Sequence, residues 1–212
     1  IRRTGHHILE RYGMTETNMI TSNPYNGERR PGTVGKPLPD VEIKINDPQT
    51  GRENANDEIG MIEVRGPNVF KGYWNMPDKT SLELRENGYF ITGDLGKLSS
   101  DGYLSIVGRE KDMIISGGYN VYPKEIEDVL NELDKIDETA VFGILDNDFG
   151  ERVVAAVVML ENESFDKSKT EIFVNDKLAR YKQPKEYFVL DSLPRNSMGK
   201  VQKNELRKQF SN

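Results

Sequence analysis

The sequence predicts an α+β protein in two parts, a β-rich first half followed by a small α+β domain. Proline and glycine are frequent in the first half, and short runs of alternating apolar and polar residues lie between them. After Gly108 the spacing changes to that of an amphipathic helix, and apolar runs of strand length follow. We therefore expect domains at residues 1–108 and 109–212.

The composition excludes several classes of protein. Of the 212 residues, 35% are hydrophobic and 30% are charged, which excludes a collagen-like or wholly disordered chain. The net charge of −6 argues against nucleic-acid binding. The sequence contains no run of about 18 apolar residues, the length that a transmembrane helix requires. The absence of cysteine excludes disulfides and suits a cytoplasmic protein. Because the chain starts at Ile1 rather than Met, we expect it to be a fragment.

Strands are expected in the first half wherever apolar and polar residues alternate. The clearest runs are residues 41–45, 61–65 and 90–92. Two further runs, residues 95–98 and 103–107, flank Asp101-Gly102, a pair typical of a tight turn. They predict a β-hairpin.

The second half predicts helices and buried strands. Pro123 stands where a helix would begin, and an apolar stripe with helical spacing follows it. The stripe consists of Ile126, Val129, Leu130 and Leu133. We expect buried strands at residues 140–144, 153–160 and 187–190, and a second helix at about residues 169–179.

Residues 10–17 contain three side chains suited to nucleotide chemistry. Tyr12 could stack on a purine, although a buried tyrosine with a satisfied hydroxyl is the alternative interpretation. Thr15 and Glu16 place a hydroxyl beside a carboxylate, which suits a phosphate oxygen and its Mg²⁺ ion. The same pair is equally typical of a helix start.

Three later positions have comparable alternatives. Asp94, after the strand expected at residues 90–92, could accept hydrogen bonds from two ribose hydroxyls or from its own turn. The Gly117-Gly118 pair lets the backbone approach a narrow ligand closely, or it forms a turn only. Lys200 is either a solvated surface charge or a mobile cation that stabilises reacting anions.

Four segments, in their order and spacing, resemble the later core motifs of the acyl-adenylating superfamily of enzymes. They are residues 10–17, 88–95, 108–127 and 194–200. The resemblance implies that the chain is the C-terminal part of an ATP-dependent acid–CoA ligase that uses ATP, Mg²⁺ and CoA. Residues 1–108 would be a β-rich remnant of the large adenylate-forming domain, and residues 109–212 its mobile C-terminal domain. The fragment alone would be inactive because the phosphate loop lies upstream.

The resemblance also implies roles for individual nucleotide-binding residues. Tyr12 would stack on adenine, Thr15 would contact the α-phosphate, and Glu16 would bind magnesium. Asp94 would hold both ribose hydroxyls with the help of Arg109.

Four further residues match the superfamily's mobile domain. Lys111 would be the hinge, and Gly117 and Gly118 would line the CoA channel. Lys200 would be the catalytic lysine of the adenylation step. Its sequence context is also similar to that in which protein acetyltransferases modify such ligases, which makes an acetyltransferase a possible partner.

Within the superfamily, residues 11–35, 66–74 and 194–203 are similar to the malonyl-CoA synthetase family, which implies malonate or a similar acid as substrate. The second carboxylate of such an acid requires a cation, and guanidinium groups bind carboxylates through two hydrogen bonds. Arg29 and Arg30 are the local candidates, and their alternative role is to cover a loop. A ligase for another acid and a catalytically silent binding module stay open as alternatives.

Overall fold

The computed structural model describes residues 5–211, so Ile1 lies outside the described residues. The chain divides into two units, Ile1–Glu110 and Lys111–Asn212. The expected boundary lay between residues 108 and 109, two residues earlier. The difference arises because Arg109 completes a strand of the first unit. None of the helices within residues 5–211 is long and apolar enough to cross a membrane.

The first unit contains two antiparallel sheets. The strands of the smaller sheet are, in spatial order, β1 (Arg11–Met14), β2 (Asn18–Ser22) and β3 (Lys36–Pro37). The larger sheet is a meander of β4 (Glu42–Asn46), β5 (Gly60–Arg65), β6 (Phe90–Leu98) and β7 (Leu104–Arg109). A short helix, α1 (Pro77–Glu83), connects β5 to β6 and starts with a proline, whose fixed φ suits the first turn.

The core of the first unit joins its two sheets. Buried side chains from both sheets form one cluster, which consists of Tyr12, Ile20, Ile45, Ile62, Val64 and Leu104. The strands expected at residues 41–45 and 61–65 are present as β4 and β5, and they contribute Ile45, Ile62 and Val64 to the core. The strands expected separately at residues 90–92 and 95–98 are instead the single strand β6.

The second unit is a mixed sheet covered by helices. Its strands are β8 (Ile114–Ser116), β9 (Tyr119–Val121), β10 (Ile136–Asp146), β11 (Gly150–Met159) and β12 (Glu186–Leu190). The spatial order is β10-β11-β8-β9, and β12 pairs in parallel with β11. The helices are α2 (Pro123–Leu130), α3 (Lys167–Lys177) and α4 (Lys203–Phe210).

Strand β11 is buried on both faces. Val153, Ala155 and Val157 pack in one cluster with side chains of α2 and α3. The intervening Val154, Ala156 and Val158 pack in another cluster with Leu206 of α4. Successive side chains of a strand point to opposite faces, so a strand between two helical layers needs an unbroken apolar run.

The helices differ from the sequence expectations at their ends. Helix α2 begins at Pro123 as expected but ends at Leu130, and Leu133 packs against the same core from the following turn. Helix α3 begins two residues before the expected range because the Asp166 side chain accepts a hydrogen bond from the Lys169 N–H and caps it. Helices α1 and α4 and strands β1, β2, β3, β8 and β9 were not expected from the sequence.

An ion pair with one buried partner anchors the segment before β6. Glu63 of β5 has a side chain only 2% exposed, and its carboxylate accepts hydrogen bonds from Arg85 Nε at 2.8 Å and Nη2 at 2.6 Å. Replacing Arg85 with alanine leaves a buried carboxylate without its cation, and we expect a loss of about 3 kcal/mol in unfolding free energy. Urea denaturation followed by circular dichroism measures it.

The matched control is Arg65→Ala, which breaks the pair of Arg65 with the 57%-exposed Glu42. Exposed pairs stabilise proteins little, so the denaturation midpoint should move much less than in Arg85→Ala. Equal shifts in the two variants would contradict the role assigned to the buried carboxylate.

Candidate functional site

Tyr12, Asp94 and Arg109 meet in the first unit, although they come from three different strands. The Tyr12 hydroxyl donates a hydrogen bond to Asp94 Oδ2 at 2.6 Å, and Arg109 Nε lies 3.0 Å from Asp94 Oδ1. Asp94 and Arg109 are register partners in the β6–β7 ladder, so their side chains emerge on the same face. The Asp94 side chain is 8% exposed and that of Arg109 is 45% exposed.

A bulge in β6 positions Asp94. Residues 92–94 of β6 face the single residue Ile62 of β5, since the flanking pairs are Glu63 with Ile91 and Met61 with Leu95. Gly93 takes up the extra length with a φ of +72°, a conformation that favours glycine. The Thr92 hydroxyl fixes the bulge, because it donates to the Ile62 carbonyl at 2.8 Å and accepts from the Asp94 N–H at 3.1 Å.

The expectation that Asp94 lies after the strand at residues 90–92 is therefore wrong. Strand β6 continues through Asp94 to Leu98. The alternative, in which the Asp94 carboxylate accepts hydrogen bonds from its own turn, is therefore wrong as well. The sequence suggested a break because Gly93 interrupts the apolar alternation. A bulge absorbs such a glycine without ending the ladder.

The surroundings of Tyr12 keep its hydroxyl a hydrogen-bond donor. Burial, together with the negative charge of Asp94, raises the pKa of the Tyr12 hydroxyl far above its usual range. Tyr12 is 8% exposed and its hydroxyl is hydrogen-bonded. This matches the alternative interpretation of Tyr12 as a buried tyrosine with a satisfied hydroxyl. Stacking on adenine stays a prediction. A carboxylate has about four acceptor positions, so Asp94 retains capacity for further donors beside Tyr12 and Arg109.

Thr15 and Glu16 lie in the turn between β1 and β2, so the alternative of a helix start is wrong. The segment after β5 donates two hydrogen bonds to the backbone of this turn. The backbone N–H of Phe70 donates to the Glu16 carbonyl at 2.8 Å, and Asn68 Nδ2 donates to the Thr17 carbonyl at 2.7 Å.

The Tyr73 hydroxyl lies between the carboxylates of Glu16 and Glu83, which share its one proton. The hydroxyl oxygen lies 3.1 Å from Glu16 Oε1 and 2.6 Å from Oε2 of Glu83, which belongs to α1. Burial and the hydrogen bond with Glu83 raise the pKa of Tyr73, so the phenol remains a donor. Sequence reasoning missed Tyr73, Asn68 and Glu83. The only signal was that Asn68 and Tyr73 fall within residues 66–74, a segment noted for its resemblance alone.

The donor set around Glu16 fits a magnesium ion that substrate phosphates help to bind. Mg²⁺ keeps several waters and is usually held by one or two carboxylates together with phosphate oxygens. Glu16 supplies one half-buried carboxylate, whose Oε1 lies 3.1 Å from the Tyr73 hydroxyl. No group of three or more His, Asp or Glu side chains in residues 5–211 is placed to hold a metal. A magnesium ion at Glu16 would have its other coordination positions open to water and to phosphate oxygens.

Arg29 and Arg30 are both engaged in local contacts. Arg30 donates two hydrogen bonds to Asp101, at 3.1 and 2.8 Å, and its guanidinium lies 4.0 Å from the centroid of the Tyr103 ring. Arg29 donates to the backbone carbonyls of His7, Pro24 and Tyr25. These contacts match the loop-covering alternative, and a substrate carboxylate would have to compete with them.

The remaining site residues lie in the second unit. Gly117 and Gly118, with φ values of +57° and +81°, form the two-residue turn of the β8–β9 hairpin. Lys111 is the first residue of the unit and lies in a short 3₁₀ turn, Glu110–Asp112. Lys200 lies on an exposed loop before α4, and no ion pair between described residues involves its ammonium group.

Most of the chain is similar to known enzymes. The family model described as AMP-binding enzyme matches residues 1–74, and the one described as AMP-binding enzyme C-terminal domain matches residues 125–200. The chain is 46% identical to a malonate–CoA ligase of Arabidopsis thaliana, over 99% of the chain and 36% of the relative. It is 40% identical to a long-chain-fatty-acid–CoA ligase of Bacillus subtilis strain 168, over 96% of the chain and 36% of the relative.

A solved structure agrees with these relatives. The crystal structure of ATP-bound MatB from Rhodopseudomonas palustris matches with a TM-score of 0.95 and 53% identity, over 100% of this chain and 42% of that one. The likeness therefore extends over the entire chain. The chain itself spans little more than a third of the length of the two curated ligases, 36% in each case.

Proposed function

This chain belongs to the family of AMP-binding enzymes, and on that premise we propose that it is the C-terminal part of an ATP-dependent acid–CoA ligase. The observation that carries the proposal is the Tyr12–Asp94–Arg109 cluster. It offers an almost buried carboxylate, with acceptor capacity to spare, beside a half-exposed guanidinium. Such a carboxylate suits the two hydroxyls of a ribose, and its neighbouring cation suits a phosphate.

The proposed reaction has two steps. In the first, a carboxylate oxygen of the acid attacks the α-phosphorus of ATP, and pyrophosphate leaves with the electron pair of the broken P–O bond. In the second, the thiol of CoA loses its proton and attacks the acyl carbon, and AMP leaves. The first step brings two anionic groups together, so a nearby cation stabilises its transition state.

We assign roles in the first step to residues of both units. Asp94 would accept hydrogen bonds from the ribose hydroxyls, Arg109 would assist it, and Thr15 would donate to the α-phosphate. A magnesium ion bound at Glu16 would neutralise phosphate charge. Lys200 would supply its ammonium to the reacting groups, where a unit charge at about 4 Å contributes roughly 4 kcal/mol at an effective dielectric near 20.

We propose malonate as the acid. Support comes from the relatives, since the Arabidopsis enzyme is named a malonate–CoA ligase. A different acid is the second candidate, because the Bacillus relative is named for long-chain fatty acids and both local arginines are already engaged. The deciding experiment compares pyrophosphate release by the full-length protein with malonate, butyrate and a long-chain fatty acid. Release with butyrate or the fatty acid but not malonate would reject malonate.

Three roles in the second unit are proposed on the family premise. Lys111 would be the hinge about which the C-terminal domain turns between the two steps. Gly117 and Gly118 would line the CoA channel. A thioester-forming rate unchanged by Lys111→Pro would reject the hinge. Acetylation of Lys200 would abolish its charge and stop adenylation, and mass spectrometry of the acetylated, inactivated enzyme would locate the mark.

Replacing Glu16 with glutamine tests the proposed metal role. The amide lacks the negative charge that Mg²⁺ prefers, so the Mg²⁺ concentration for half-maximal pyrophosphate release should rise at least about tenfold. Glu83→Gln is the matched control, since Glu83 bonds the same Tyr73 hydroxyl but has no proposed contact with the metal. A similar Mg²⁺ requirement in the two variants would reject Glu16 as a ligand.

A further inference from the structure

We propose that Asn196 and Arg195 are positioning residues for Lys200, and that they hold its loop in a preformed shape. The Lys200 loop is defined as residues 195–201, which an antiparallel bridge between Arg195 and Val201 closes. The inference rests on the proposed function, because it assumes that Lys200 acts in adenylation. It adds a role for two residues to which neither the sequence nor the family resemblance assigned one.

Asn196 fixes both backbone polar groups of Lys200. Its side-chain Oδ1 accepts hydrogen bonds from the N–H of Lys200 at 2.9 Å and of Met198 at 3.0 Å. Its own N–H donates to the Lys200 carbonyl at 3.0 Å, and its carbonyl accepts from the Gly199 N–H at 2.9 Å. The backbone of Lys200 is therefore held from two sides by one residue.

Arg195 ties the tip of the loop to the sheet. Its Nη1 donates to the Gly199 carbonyl at 2.7 Å, and its Nη2 is paired with Glu138 of β10. Gly199 has a φ of +78°, and a side chain there would meet no atom within 4 Å. The glycine is thus needed for the turn's conformation and not for space.

The base of the loop is anchored as well. The Gln202 N–H donates to the Pro194 carbonyl at 2.8 Å. At the start of α4, Lys203 Nζ lies 2.7 Å from Glu127 Oε1 of α2, in an ion pair whose side chains are 16% and 14% exposed. Glu127 also accepts the Val141 N–H at 2.8 Å, so the pair joins α4, α2 and β10.

These contacts leave the side chain of Lys200 free while its backbone is fixed. The ammonium is exposed and has no ion pair within the described part of the chain. A loop that is already ordered loses little conformational freedom when its lysine engages the reacting anions. Removing the Asn196 or Arg195 bonds should therefore lower the rate of the step that uses Lys200 and leave the other step unchanged.

The experiment measures both half-reactions of the full-length enzyme in single turnovers, with Asn196→Ala, Asn196→Thr and Arg195→Ala. Asn196→Ala should slow adenylation about tenfold or more, mainly in kcat rather than in KM for ATP. Thioester formation from supplied acyl-adenylate should stay within about twofold. Asn196→Thr keeps a neutral oxygen acceptor and should recover most of the adenylation rate. Arg195→Ala gives an independent variant if Asn196→Ala does not fold.

Two controls separate the possible outcomes. Asp166→Ala removes another side-chain-to-backbone bond in the same unit, the cap of α3, and should leave adenylation unchanged. Normal adenylation in both loop variants, with adenylation lost in Lys200→Ala, would overturn the positioning role but not the proposed function. Equal loss of both half-reactions in the loop variants would show that these residues have a merely structural role, and this would also overturn the positioning role. A failure of Asn196→Thr to recover adenylation would have the same meaning. Normal adenylation in Lys200→Ala would remove Lys200 from the active site and overturn the positioning role, while the proposed ligase activity would stand.

Discussion

Replacing Lys200 with alanine in the full-length enzyme should reduce acyl-adenylate formation about 10²–10³-fold, the loss expected for one well-placed electrostatic group. Thioester formation from supplied adenylate and CoA should continue at nearly the normal rate. In the proposed role the two steps would separate, because the ammonium would stabilise the combined charge of carboxylate and triphosphate, which is absent once pyrophosphate has left. Paired single-turnover assays of pyrophosphate release and thioester formation measure the two rates.

Lys208→Ala is the matched control for this variant. Lys208 is an exposed lysine of α4 that pairs with Glu205, and its loss should affect neither half-reaction. Equal loss of both steps in Lys200→Ala would mean that the lysine has a structural role. Normal adenylation would remove Lys200 from the active site.

Replacing Asp94 with alanine should weaken ATP binding by the full-length enzyme about 10²-fold or more. Two ribose hydroxyls would lose a charged acceptor, and each such hydrogen bond is worth about 1.5–3 kcal/mol. The variant also leaves the Tyr12 hydroxyl without its partner in the core, so some loss of stability accompanies it. Calorimetric titration with ATP, at a temperature where denaturation curves show the variant folded, measures the affinity.

Tyr12→Phe separates the two effects of the Asp94 substitution. It removes the bond between hydroxyl and carboxylate but keeps the carboxylate for the ribose, so ATP affinity should fall far less than in Asp94→Ala. An unchanged ATP affinity in a folded Asp94→Ala protein would contradict nucleotide binding by Asp94. It would leave the carboxylate as the partner of Tyr12 and Arg109 only.

The elements that the sequence predicted are those with a local periodic signal. Helix α2 begins at Pro123 and has an apolar stripe, and β11 is an unbroken apolar run, so each pattern identifies its element without knowledge of the neighbours. Strands β8 and β9 have three residues each, too few to show a period. Helix α4 has eight residues and contributes only Leu206 and Phe210 to the core, which is too short an apolar pattern to identify a helix from the sequence.

The sequence alone determined the α+β fold class and the residue types that resemble an adenylating enzyme, since motif order and side-chain chemistry are properties of the chain itself. Only the tertiary structure decided which of these residues touch. Tyr12 and Asp94 are 82 positions apart, and they meet because two sheets share one core and a bulge turns Asp94 toward it. Likewise, Arg30 is a possible carboxylate ligand in the sequence but lies against Asp101 in the fold. A side chain's available partners depend on strand register and packing between distant segments, which no local pattern encodes.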